Sequence, residues 1–351
     1  MKGKSLTLVV LVTLVLLGII LSQMDYKVVG LFLKKASPLV ILLSFAIYTL
    51  TYLLRAIRWR ILLGLPISTS SLFHIVCLHT LANNLFPFRT GELTFPYFLG
   101  RFHKVQLPSA FSSLFLARVS DMLALGSLFL AGLVAVGFPG EKTLALVVPA
   151  LMAILFFSPK LLARILPLIQ KCSRFKIRGW RLQRKAQGSE PPPSLGSLES
   201  FSQEIQEQWK GRRMAMANLL SLVIWGVKFL AFYLLALEMT RPLGYPLSYW
   251  KVVVGTSASE LTTVLPIHSI GGVGTYEAGW TGAFILMGMA RGEAVATAFL
   301  FHMTLLLFSV VLGLPAYLMI PLRGKRGCKT PASQQEEEGS SCSSSPDKRC
   351  D

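Results

Sequence analysis

Long apolar runs alternate with short polar breaks along most of the chain, and the runs have the length of membrane helices. Apolar stretches over residues 6–22, 37–54, 109–136, 143–158, 214–237 and 294–321 predict spans, because roughly 20 apolar residues cross the hydrocarbon core. Two further stretches, 71–98 and 249–288, are apolar enough to enter a bilayer but are broken by amides, prolines, glycines and charges. Backbone that cannot close its own hydrogen bonds is tolerated at membrane depth only inside protein or beside a water-filled cavity. The pattern therefore predicts an all-α polytopic membrane protein with about eight transmembrane or re-entrant helical elements.

The two broken stretches carry the candidate chemistry. The first holds Asn83, Asn84, Pro87, Arg89, Gly91 and Glu92, and the second holds Glu260, Pro266, His268, Gly271, Gly272, Gly274 and Glu277. One interrupted segment in each half is the best sequence pointer to a transporter binding site. The alternative for the first stretch is an ordinary loop with Pro87 and Gly91 as turn residues. Its apolar surroundings weigh against that, since ionisable groups at membrane depth need a cavity and partners. In the second stretch the glycines either bring backbone close to a ligand or pack helices together.

Charge then sets a topology. Residues 159–213 contain twelve Lys or Arg against four Glu, and Arg323, Lys325, Arg326 and Lys329 follow the last span. Both regions read as cytoplasmic by the positive-inside rule. With Lys2 and Lys4 inside as well, the parity closes only if 71–98 and 249–288 are re-entrant pairs of opposite orientation. That arrangement makes two inverted-repeat-like halves, although it places Lys27, Lys34 and Lys35 outside. The chain divides into a membrane domain over 1–322, with 159–213 as a basic cytoplasmic loop, and a disordered polar tail over 323–351. The expected location is the cell (inner or cytoplasmic) membrane, multi-pass, with both termini cytoplasmic.

Composition agrees with this and removes other classes. The chain is 53% hydrophobic and 15% charged, whereas soluble domains carry about 25% charged residues. Its net charge of +18 falls in loops and span ends, which suits anionic headgroups rather than nucleic acid. The five cysteines lack paired spacing, so neither a disulfide framework nor zinc is expected. No Walker loop, HExxH or G-x-S-x-G occurs, so no cofactor is expected and transport would be passive, ion-coupled or driven by a partner.

Two more clusters complete the candidates. Arg55, Arg58, Trp59 and Arg60 close the predicted second span, either as interfacial anchors or as a phosphate clamp at a cavity mouth. Arg118 and Asp121, three apart on an apolar helix, share a face and are expected to meet. His74 and His79 are read as buried or interfacial histidines.

Together the motifs Arg55-x-x-Arg58-Trp59, Asn83-Asn84-x-x-Pro87-x-Arg89-x-Gly91-Glu92, Arg118-x-x-Asp121 and Pro266 through Gly271-Gly272-x-Gly274-x-x-Glu277 make a pattern. The sequence resembles the lysylphosphatidylglycerol synthase transmembrane-region family, also called flippase-like domain proteins, over roughly residues 5–322. The resemblance implies a helical bundle with re-entrant helices that moves a lipid headgroup between leaflets. Members with synthase activity carry a soluble aminoacyl transferase domain after the membrane part, which is not expected here. Ala117 stands where many relatives carry Glu, and Phe95 and Pro96 stand where an Arg often follows, so the lipid is expected to differ.

The functional expectation is translocation of a phospholipid or lipid-linked headgroup. Arg89 with Arg118 would hold the phosphate, and Asn83, Asn84, Glu92 and Glu277 would contact headgroup polar atoms. The expected ligand is an anionic or lipid-linked substrate in the bilayer, with a membrane-associated transferase as a candidate partner. The rival readings are a headgroup-modifying enzyme using Glu92, Asp121 or His268, and a non-transporting scaffold for a transferase.

Overall fold

The computed structural model describes residues 3–138, 211–262 and 269–319, without the side chains of 3–10, 87–89 and 211. The predicted span 143–158, nearly all of the basic loop 159–213, and the tail 323–351 lie outside the described residues, as do Pro266 and His268. Among the described residues there is no strand, and ten α-helices follow one another: α1 (Gly3–Gln23), α2 (Tyr26–Lys35), α3 (Pro38–Leu63), α4 (Thr69–Leu85), α5 (Thr94–His103), α6 (Leu107–Val136), α7 (Gly211–Thr240), α8 (Tyr249–Thr262), α9 (Thr275–Leu286) and α10 (Arg291–Leu318).

Helices α3, α6, α7 and α10 are each long and apolar enough to cross a membrane, and α1 with α2 forms a further candidate span bent by 82°. This is a multi-pass membrane protein. Its lipid-facing character shows in large apolar side chains left exposed, among them Leu39, Leu42 and Leu53 on α3 and Leu307, Val311 and Leu314 on α10. The polar break Ser22 to Asp25 ends α1, and the Asp25 carboxylate accepts from Lys27 N at 2.9 Å to start α2.

One prediction needs correction here. The second span does not close at residue 54: α3 runs on to Leu63 and stops at Gly64, which takes a left-handed conformation at φ 63°. Arg55, Arg58 and Arg60 therefore sit within the helix. The drop in hydropathy does not end it because Arg58 is neutralised by a carboxylate and Arg55 opens onto a cavity.

Helix α3 packs along α7, and Ser44 Oγ donates to Ala231 O at 2.8 Å between them. Glu238 of α7 accepts from Ser37 N at 2.8 Å, satisfying an N–H at the start of α3. On the other side, Trp280 of α9 lies between Phe284 and Phe301 with centroid distances of 4.5 and 4.4 Å. Its indole N–H donates to Thr297 Oγ1 of α10 at 3.2 Å, so this buried ring keeps its polar atom partnered.

Both broken stretches are helical hairpins. In the first, Ser71 contacts His103 at 2.8 Å, His79 contacts Thr94 at 3.4 Å, and Gly91 lies against Ala82 and Asn83, so α4 and the segment through α5 run in opposite directions. In the second, Gly255 faces Phe284, Ser259 faces Gly279, and Thr262 Oγ1 donates to Thr275 O at 2.8 Å. Two glycines allow the close approach. A Cβ on Gly91 would fall 2.4 Å from Asn83 N, and one on Gly279 would fall 2.6 Å from Ser259 Cα. At 1.5 Å per residue the four hairpin helices measure about 15 to 26 Å, short of the roughly 30 Å core.

Candidate functional site

The two hairpin tips meet: a Cβ on Gly271 would come within 3.7 Å of Asn84 O. Around that meeting point lies a cavity of about 160 Å³. Its wall takes Tyr48 and Arg55 from α3, Arg118 and Asp121 from α6, Trp225 and Lys228 from α7, and His302 from α10. Tyr48, Arg118, Asp121, Lys228 and His302 each lie closer to the middle of their helix than to either end. The first hairpin contributes His79, Thr80, Asn83, Asn84 and Glu92, and the second contributes Glu260, Gly271, Gly272 and Tyr276. Gly271 and Gly272 hold φ values of 69° and 71°, so backbone turns toward the cavity where a side chain would strain it.

The charges are arranged in pairs. Arg118 forms a fork with Glu92, Nη2 to Oε1 at 2.8 Å and Nε to Oε2 at 3.1 Å. A planar guanidinium matched to both carboxylate oxygens fixes geometry as well as charge. Arg118 Nη2 and Asn83 Nδ2 also lie 3.2 Å from His79 Nε2. Both are donors, so that ring nitrogen accepts, and the proton belongs on Nδ1, which faces Thr94 Oγ1 at 3.4 Å. Thr94 in turn donates to Gly91 O at 2.6 Å, within the same arm of the hairpin.

Arg118 and Asp121 share a helix face but do not pair, contrary to the sequence expectation. Asp121 turns instead to Arg58 of α3, a short ion pair that Nη2 completes at 3.1 Å to Oδ2 and that Trp225 Nε1 joins at 3.3 Å. Arg58 is buried and sits behind the cavity wall rather than on it, with Ser221 Oγ as a further acceptor at 2.8 Å. A guanidinium removed from water needs that carboxylate, and a partner three residues along the same helix would have left it stranded.

Lys228, buried in α7, pairs with Glu260 and lies 4.3 Å from the Trp225 ring centroid and 5.1 Å from that of Phe232. Glu277 is held back from the wall. Its Oε2 accepts from Gly274 N at 2.7 Å, capping α9, and its Oε1 meets His302 Nδ1 at 2.8 Å. Gly274, at φ 93°, also leaves the wall and packs on Leu16 of α1. The side chain of Arg89 and all of His268 are outside the described residues. Glu92, at the same tip, pairs with Arg118.

Residues 6–313 match the family described as lysylphosphatidylglycerol synthase TM region. The chain belongs to that family. It is also similar to a protein named glycosyltransferase AglD from Haloferax volcanii, 25% identical over 325 residues that cover 83% of this chain and 50% of the relative. The chain thus spans about half the length of the curated relative it matches. No solved structure matches.

In this member of the family, sequence reasoning placed Arg55, Asn83, Asn84, Glu92, Arg118, Asp121, Glu260, Gly271 and Gly272, which the fold brings to one cavity. It missed Tyr48, His79, Trp225, Lys228, Tyr276 and His302. Lys228 and His302 carried a usable signal, a lone ionisable residue inside an apolar helix. His79 carried another, one turn before Asn83 and therefore on the same face. Tyr48 and Tyr276 had none. Phe95 is fully buried with its ring centroid 3.9 Å from that of Trp59, and Ala117 is buried within α6.

Proposed function

We propose that this protein moves a lipid headgroup between the two leaflets of its membrane through the cavity where the hairpin tips meet. The observation that carries the reading is the wall itself: charged, amide and imidazole side chains from four membrane-length helices and both hairpins converge on one space. Ionisable groups are costly at that depth and persist where they serve a polar ligand or its path. The cavity lies at the middle of the long helices, so a headgroup held there is halfway between leaflets while its acyl chains stay in lipid, which avoids exposing apolar surface to water. On this reading the short hairpins are re-entrant, the halves are inverted in orientation, the elements number about eight, and the basic loop and both termini face the cytoplasm. Membership in a lipid-related membrane family supports it.

The relative's name supports a second reading, in which the cavity serves a glycosyl-transfer step on a lipid-linked substrate. The carboxylates at the wall weigh against an acid or base role here, because Glu92, Asp121 and Glu260 are each held by a cation. The deciding experiment is leaflet exchange of labelled phosphatidylglycerol, aminoacylated phosphatidylglycerol and polyprenyl phosphate in liposomes containing the pure protein, beside Arg118→Ala. Exchange of one lipid, lost in the variant, is the expected result. Turnover of the headgroup without exchange would overturn the transport reading in favour of transfer chemistry.

A further inference from the structure

Counting the charges at the cavity leaves a remainder. Glu92, Asp121 and Glu260 on the wall are paired with Arg118, Arg58 and Lys228, and Glu277 lies behind the wall, hydrogen-bonded to Gly274 N and His302 Nδ1. Arg55 lines the same cavity and has no carboxylate or hydrogen-bond partner among the described residues; its nearest aromatic neighbour is the Tyr52 ring, 5.9 Å from the guanidinium carbon. A ligand can therefore supply negative charge without disturbing anything. A cationic ligand would have to take a carboxylate from a cation that is itself buried or half-buried, leaving that cation uncompensated.

Two polar atoms are also left over. Asn83 Oδ1 and Tyr276 Oη are buried and have no hydrogen-bond partner among the described residues, although both residues line the cavity. Asn83 spends its amide N–H₂ on His79, so an acceptor remains, and Tyr276, 5% exposed, stacks on His302 at 4.4 Å with its hydroxyl unused. Buried acceptors without partners are expensive unless a ligand satisfies them. An acceptor of this kind is matched by a hydroxyl, and a hydroxyl of Tyr276 can give to or take from another.

We infer that the cavity selects a phosphate-bearing headgroup with free hydroxyls, of polyol or sugar phosphate type, and discriminates against an aminoacylated, positively charged one. The inference rests on the reading of this cavity as a headgroup site. Arg55 takes the phosphate oxygens, and Asn83 with Tyr276 reads the hydroxyls.

The test is binding rather than transport. The full chain, purified into phosphatidylcholine nanodiscs, is titrated with phosphatidylglycerol, lysyl-phosphatidylglycerol and phosphatidic acid, and bound lipid is read by native mass spectrometry. Phosphatidylglycerol should bind about tenfold more tightly than the lysyl lipid, a difference of about 1.4 kcal/mol. Arg55→Gln should remove about tenfold of phosphatidylglycerol affinity and Arg55→Lys should restore part of it. Asn83→Leu should erase the preference for phosphatidylglycerol over phosphatidic acid, and the melting temperature of each variant shows that it is folded. Soluble glycerol 1-phosphate is a separate arm: displacement of the lipid at equal concentration assigns the site to a free phosphate of the same chemistry, and failure to displace assigns it to a lipid. Equal or tighter binding of the lysyl lipid, or unchanged phosphatidylglycerol affinity in folded Arg55→Gln, overturns the inference. A preserved preference in a protein that exchanges no lipid would refute the transport reading alone.

Discussion

The two hairpins use the same construction for different ends. Each places a glycine against the backbone of its partner helix, Gly91 on Ala82 and Asn83 and Gly279 on Ser259; a threonine bond joins the two arms of the second, Thr262 to Thr275 O, whereas Thr94 to Gly91 O lies within one arm of the first. They differ in where the glutamate goes. Glu92 reaches out of its hairpin to Arg118 on α6 and stays on the cavity wall, whereas Glu277 turns back to cap its own helix and hold His302. The first hairpin presents two amides and a carboxylate to the cavity, and the second presents the Glu260 carboxylate and Tyr276 together with backbone at Gly271 and Gly272.

The largest effects should come from the shared feature. Gly91→Ala and Gly279→Ala each force a Cβ into backbone, which cannot yield as a flexible side chain does, and should each cost about 3 kcal/mol or more. Loss of monodisperse protein in detergent, or a lowered melting temperature, reports it. Gly282 has open space around it, so Gly282→Ala should stay within about 0.5 kcal/mol. If the glycine variants melt alike, the hairpins are not held by backbone contact.

Next come the glutamates, where the comparison is sharpest. Glu277→Gln loses the charged cap and the charged partner of a buried histidine, and should destabilise by about 1 to 3 kcal/mol. Glu92→Gln, on a partly exposed pair, should cost about 1 kcal/mol or less yet lower leaflet exchange about tenfold, because Arg118 is no longer fixed and tenfold in rate needs only about 1.4 kcal/mol. A Glu277 variant that hurts transport without hurting stability would reverse the division of roles. Smallest are the threonine bonds, with Thr94→Val and Thr262→Val each expected to cost about 1 kcal/mol by thermal melt.

What the sequence showed and what it hid follow from the range of each interaction. The broken stretches were legible because their glycines and amides interrupt an apolar run locally, and the structure finds hairpins in both. The arginine cluster was read as the end of a span because hydropathy sees each side chain alone. Arg58 is tolerated inside α3 only through Asp121, 63 residues later in the chain, and no local pattern records that. The same distance explains the misassigned Arg118 partner: helical spacing offered Asp121, but burial gave Asp121 to Arg58 and left Arg118 for Glu92. Lys228 and His302 were visible as lone charges in apolar helices, and only the fold showed that they face one cavity.

The contact between the second hairpin and the first helix bears on how the protein is made. Ile270 N donates to Thr13 Oγ1 at 3.2 Å, and Gly274 rests on Leu16. Synthesis runs from the amino terminus, so α1 and the first hairpin emerge well before the residues that seat against them. Until the segment around Gly271 leaves the ribosome, the amides of Asn83 and Asn84 lack the wall they face in the finished molecule. A nascent chain at that stage has its polar tip uncovered.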